Sequence, residues 1–156
     1  MRSFLRGIGL SPMVLRWAAA GLTALVLVSG CGNAKSPESA GDRSVKQELL
    51  RGVDEIRTTH DRKRLRAELS RVVAKLRGAR GSSAQAERAR RAAIAGFELT
   101  QRGVASQIEF NDNDSGNVAA ATRDARRADR YLGRGADRIR LAGRALGIQI
   151  ADLGGY

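Results

Sequence analysis

Beyond residue 44 the apolar residues recur at helical spacing, and no stretch alternates as a strand does. Val45, Leu49, Val53 and Ile56 share one face, while Glu48, Asp54 and Glu55 stay off it. Ser44 is placed to cap this first helix, which should run to about Thr58. The next apolar set, Leu65, Leu69, Val72, Val73 and Leu76, lies nearly half a turn round from the first. Such a phase change predicts a break near residues 58–61, with Thr59 or Asp61 capping a second helix. The other solution is one long helix with apolar stripes on two sides.

Gly78, Gly81 and the serines Ser82 and Ser83 end the second helix and can cap a third. That third helix should span residues 84–110 on a weaker face of Ala86, Ala93, Phe97, Val104 and Ile108. Gly96 and Gly103 lower its propensity but permit close approach of a neighbour. Residues 111–117, rich in Asn, Asp and Gly, form the clearest loop. The final helix then carries the best periodicity: Val118, Ala121, Ala125, Ala128, Leu132, Gly135, Ile139, Ala142 and Leu146. This seam of small residues resembles that of a coiled coil. The pattern predicts an all-α fold, an antiparallel bundle of three or four helices.

The first thirty residues follow a different rule. Arg2, Arg6 and Arg16 precede an uncharged run over residues 17–30, which is shorter than the roughly 20 apolar residues of a membrane-spanning helix. The run ends in Val28-Ser29-Gly30-Cys31, which resembles the lipobox of bacterial lipoproteins: an aliphatic residue, two small ones, then cysteine. Val28 stands where leucine is commonest. The resemblance covers the signal alone. It implies cleavage between Gly30 and Cys31, lipid on the Cys31 thiol, and attachment to the cell membrane on its extracytoplasmic side. Gly32 and Asn33 do not look like the aspartate-led signal that retains lipoproteins in an inner membrane. A secretory signal cut nearby and an uncut N-terminal anchor are the alternatives. Residues 31–44 then read as the lipidated cysteine and a polar, flexible tether, and residues 45–156 as the helical domain.

Cys31 is the only cysteine, so the domain has no disulfide of its own. Removing residues 1–30 takes the lysine-plus-arginine count from 28 to 25 and leaves all 16 acids, a net charge of about +9. The remaining aromatics are Phe97, Phe110, Tyr131 and Tyr156, so the core must be aliphatic and alanine-based. Pro37 is the one proline left.

A twelve-residue calcium loop starting at Asn111 places Gly116 correctly but puts Thr122 where the bidentate glutamate belongs. His60 is the single histidine, beside Asp61, with no nucleophile to serve. Neither Gly133-Arg134-Gly135 nor Gly78-Ala79-Arg80-Gly81 has the context of a phosphate loop. No cofactor, metal site or enzymatic constellation is expected.

Arginine is the informative residue. Arg123, Arg126, Arg127, Arg130, Arg134, Arg138 and Arg144 fall within about 60° of one line, opposite the apolar seam. The second helix adds Arg62, Lys63, Arg64, Arg66, Arg71, Lys75 and Arg77. A basic face of this size exceeds what solubility needs and points to a polyanion, either anionic lipid or a cell-wall polymer, alongside a possible protein partner or homo-oligomer. Nucleic acid is disfavoured by export and by the lack of stacking aromatics among the arginines. It returns as the partner of a basic helical protein only if the signal is not used.

Overall fold

A computed structural model describes residues 38–112, 117–151 and 153. The described residues form four helices: α1 (Ala40–Thr58), α2 (Arg62–Gly78), α3 (Ala84–Asp112) and α4 (Val118–Ala145). Lys35–Tyr156 form a compact unit in themselves. Ion pairs and packing fix the directions. Glu48 faces Lys75, Arg62 reaches Gln107, and Gly96 meets Ile139, so each helix runs antiparallel to the next. The protein is an all-α antiparallel bundle. The break between α1 and α2 is real, and Asp61 is the cap, its side chain accepting a hydrogen bond of 2.9 Å from the Arg64 N–H. Ser83 caps α3 in the same way at Ala86, and Asn117 caps α4 at Ala120.

α3 is central and has the most extensive packing, against α4, α2 and α1. Phe97 on α3 is fully buried, and its ring fills the notch left by Gly52 of α1, where any side chain would collide with it. Val45, Leu49, Val53 and Ile56 of α1 and Leu65, Leu69, Val72, Val73 and Leu76 of α2 are all buried, as their periodicity requires. Each large side chain so buried is worth about 1.5–3 kcal/mol of transfer free energy. α4 brings little of this, because Leu132 and Ile139 are its only large buried residues. It compensates by close approach. A Cβ on Gly96 would lie 2.7 Å from Ile139 Cγ1 and 3.0 Å from the Gly135 carbonyl oxygen. One on Gly135 would lie 2.6 Å from Thr100 Oγ1 and 3.0 Å from the Gly96 carbonyl. The two glycines therefore bring the α3 and α4 backbones together, and dispersion over many small contacts replaces large side chains.

The structure departs from the sequence pattern in four places. α1 begins at Ala40, not after Ser44, with Ser39 as its cap, so residues 40–44 are helix and not tether. They are held by polar contacts that hydrophobic periodicity does not report. Asp42 Oδ1 accepts from the Ser82 N–H at 2.7 Å and from the Ser83 N–H at 3.1 Å, and Gly41 packs beneath the Arg80 carbonyl. α3 continues to Asp112, two residues further than expected, which makes Asn111 and Asp112 helical; residues 113–116 of the expected loop lie outside the described residues. Val118, the first position of the α4 seam, is 77% exposed, and Phe110 opposite the connection is 42% exposed, so the seam does not close at this end.

The fourth departure is the C-terminal tail. Gly147 adopts φ 68°, the Ile148 N–H reaches the Gly143 carbonyl and the Gly147 N–H that of Arg144, an arrangement that ends α4 in a Schellman turn. The chain then folds back. Ile150 occupies the space above Gly143, Leu153 is buried, and Arg57 donates to the Ala151 carbonyl at 3.4 Å.

Two measurements test this account. Gly135→Ala should destabilise the domain by about 1–3 kcal/mol through overpacking. Gly133→Ala, two residues away with nothing within 4 Å of its Cβ, should instead stabilise it by about 0.5–1 kcal/mol. Denaturant titration reads both, and a shared sign removes the close-approach argument. The second concerns pH. The Ser83 hydroxyl, opposed by partial burial and helped by the N–H groups of Ser83 and Ser82, holds the Asp42 carboxyl below its ordinary 3.8. A carboxyl with a depressed folded pKa adds stability above its unfolded value and loses it as pH falls through the folded one. The Tm gap between the native chain and Asp42→Asn should be constant near neutrality and close below pH 3.8. A gap that persists in acid shows that the charge of Asp42 plays no part.

Candidate polyanion-binding face

All seven arginines on the α4 line, Arg123, Arg126, Arg127, Arg130, Arg134, Arg138 and Arg144, are exposed. Their exposure follows from the packing. α4 docks mainly on α3 through a narrow stripe of small residues, touches α1 only slightly, and makes no close backbone approach to α2. Most of its circumference therefore faces solvent. Along this line only Arg127 has an acidic partner among the described residues, Asp124 at 3.7 Å. Asp137 is taken by Arg140 at 3.3 Å.

The α2 cations are placed differently. Arg62, Lys63, Arg64, Arg66, Arg71, Lys75 and Arg77 are exposed too, but neighbouring helices supply counter-charges. Lys75 pairs with Glu48 of α1 at 3.5 Å and Arg77 with Glu98 of α3 at 2.7 Å. Arg71 pairs with Glu68, whose other oxygen faces Arg51 of α1 at 3.9 Å, while Arg62 is bound to the Gln107 side chain. Glu68 is on α2 itself, three residues before Arg71, but Glu48 and Glu98 arrive from other helices, so sequence spacing alone could not pair them with Lys75 and Arg77. Lys63, Arg64 and Arg66 have no acidic partner among the described residues, so α2 is partly neutralised while α4 keeps nearly all of its charge.

Two arginines on α3 join that face. Arg88 has no partner among the described residues, and Arg91 lies 3.9 Å from Glu87. Glu87 is held much more tightly by Arg90, through contacts of 2.6 and 2.9 Å. The Arg90 hydrogen bond pushes the Glu87 carboxyl below its ordinary range, and Glu87 in turn raises Arg90. Arg90 also donates to the Leu76 carbonyl at 3.2 Å, tying α3 to the last turn of α2. It is structural, and it draws Glu87 away from Arg91.

Arg88, Arg91, Arg138 and Arg144 surround an open groove of about 650 Å³ between α3 and α4, floored by Ala92, Ala95, Leu141 and Ala145. Nothing in the sequence marked it, because its two walls are remote in the chain. One signal was present nonetheless: Leu141 falls outside the α4 seam, and it is 43% exposed.

The remaining candidates can be placed briefly. His60 is exposed in the connection between α1 and α2. Gly133 is exposed and Gly135 is buried against α3. Cys31 and Gly30 lie outside the described residues, as do positions 113–116 of the calcium reading. Among the described residues no three His, Cys, Asp or Glu side chains come together as a metal cluster, and no helix is long and apolar enough to cross a membrane. Comparison with protein-family models, curated proteins and solved structures finds no match.

Proposed function

We propose that this chain is an exported, lipid-anchored envelope protein whose helical domain is a non-enzymatic interaction module, engaging anionic envelope components through α4. The anchor rests on the resemblance of Val28-Ser29-Gly30-Cys31 to the lipobox and on the short uncharged run before it. The activity rests on one observation: six of the seven α4-line arginines have no counter-charge among the described residues, whereas three of the seven α2 cations, Arg71, Lys75 and Arg77, pair with an acid. An exposed guanidinium without a partner keeps its full attraction for phosphate or carboxylate, and its planar fork suits bidentate contact. Six residues separate Cys31 from Glu38, so the covalent reach from the lipid to the domain is about 25 Å at most. A basic residue near an anionic lipid surface is worth about 1 kcal/mol.

Labelling with a fatty acid tests the anchor. The native chain should take up label in the membrane fraction and Cys31→Ser should not; unlabelled native protein in the cytoplasm rejects the anchor and restores the nucleic-acid reading. Vesicle binding tests the face, using residues 31–156 with Cys31→Ser so that no acyl chain contributes. Affinity for phosphatidylglycerol vesicles should fall with salt, and by up to about a hundredfold in Arg127→Gln/Arg130→Gln/Arg134→Gln. Unchanged affinity in that variant rejects the electrostatic role.

A further inference from the structure

The groove between α3 and α4 deepens that reading, since Arg138 and Arg144 belong both to its wall and to the α4 line. We propose that it is a binding site for one anionic phospholipid, with the phosphate held by Arg88, Arg91, Arg138 and Arg144 and part of an acyl chain laid along Ala92, Ala95, Leu141 and Ala145.

The chemistry of the lining selects this occupant. Its polar groups are four guanidiniums, which only donate hydrogen bonds, and no side-chain acceptor is among the lining residues. Its apolar part is three alanine methyl groups and one leucine, Ala92, Ala95, Ala145 and Leu141. An anionic phospholipid matches both parts: its phosphodiester presents only acceptor oxygens to the arginines, and its tail presents CH₂ groups to the floor. The volume of about 650 Å³ lies within the range of sites that take small molecules. Arginine stems extend the floor, since their methylenes cover apolar surface while the heads stay in water.

Position agrees with chemistry. Asp42 binds the Ser82 and Ser83 N–H groups, so the start of α1 lies at the α2–α3 turn. Arg88 and Arg91 are in the first turns of α3, and Arg144 is in the last turn of α4, the antiparallel neighbour. The groove therefore opens at the end of the domain from which the N-terminal segment leads to Cys31. A lipid bound there would come from the same membrane that holds the anchor.

The test is calorimetric titration of residues 31–156 carrying Cys31→Ser with dodecyl phosphate below its micellar concentration. Saturable one-to-one binding is expected, and neither inorganic phosphate nor dodecyl maltoside should reproduce it at the same concentration. Phosphatidylglycerol vesicles should compete and phosphatidylcholine vesicles should not. Arg88→Gln/Arg138→Gln and, separately, Leu141→Ser should each weaken binding about tenfold, with helicity and Tm retained because these residues are exposed. Arg127→Gln/Arg130→Gln/Arg134→Gln should leave the titration unchanged while weakening vesicle binding. Wild-type affinity in both groove variants, equal binding of inorganic phosphate, or tighter binding of an acidic amphipathic peptide overturns the proposal. Any of these leaves the broader face standing if the triple variant still loses vesicle affinity.

Discussion

The close approach of α3 and α4 at Gly96 and Gly135 is the constraint on which the rest depends. Each glycine faces the other's carbonyl oxygen near 3.0 Å from where a Cβ would stand, so neither position tolerates a side chain without movement. Gly103 repeats the pattern one step along, under Leu132. Because the contact is made by backbone and small side chains, α4 uses only a narrow stripe to hold its place. The wide remainder of its surface is then free to carry arginine. A helix anchored by a broad leucine face would have needed more neighbours, and those neighbours would have brought acids with them, as α1 and α3 do for α2.

Much of the bundle was legible in the chain. The phase change between Ile56 and Leu65 marked the α1–α2 break, and the caps Asp61, Ser83 and Asn117 stand where their residue types predict. Buried positions on α1 and α2 followed from periodicity except at Gly52, which the Phe97 ring of α3 covers. What escaped was whatever depends on a distant partner. Residues 40–44 lack large apolar side chains and look like spacer, yet Asp42 ties them to a turn forty residues away. Ile150 and Leu153 follow a helix stop and show no period, yet Gly143 leaves a space that Ile150 fills.

The same reasoning explains how far the charge could be read. Periodicity placed seven arginines on one side of α4, and all seven are exposed. It gave α2 an equally basic face, and only the tertiary structure shows that Glu48 and Glu98 answer Lys75 and Arg77. The arginine-rimmed groove needed both walls in place before Arg88 could be seen beside Arg138. Helical period reports which residues share a face, but not which residues of another helix will face them.

The contact of Asp42 with Ser82 and Ser83 also has a mechanical meaning. Any pull on the domain from its N-terminal side enters at Ser39, one turn before that contact. The load is thus shared with the α2–α3 turn before α1 can peel from the core. Two hydrogen bonds stretched together resist more than two broken in succession, so the first turn of α1 works as a strain relief between the chain that pulls and the helices that must hold their shape.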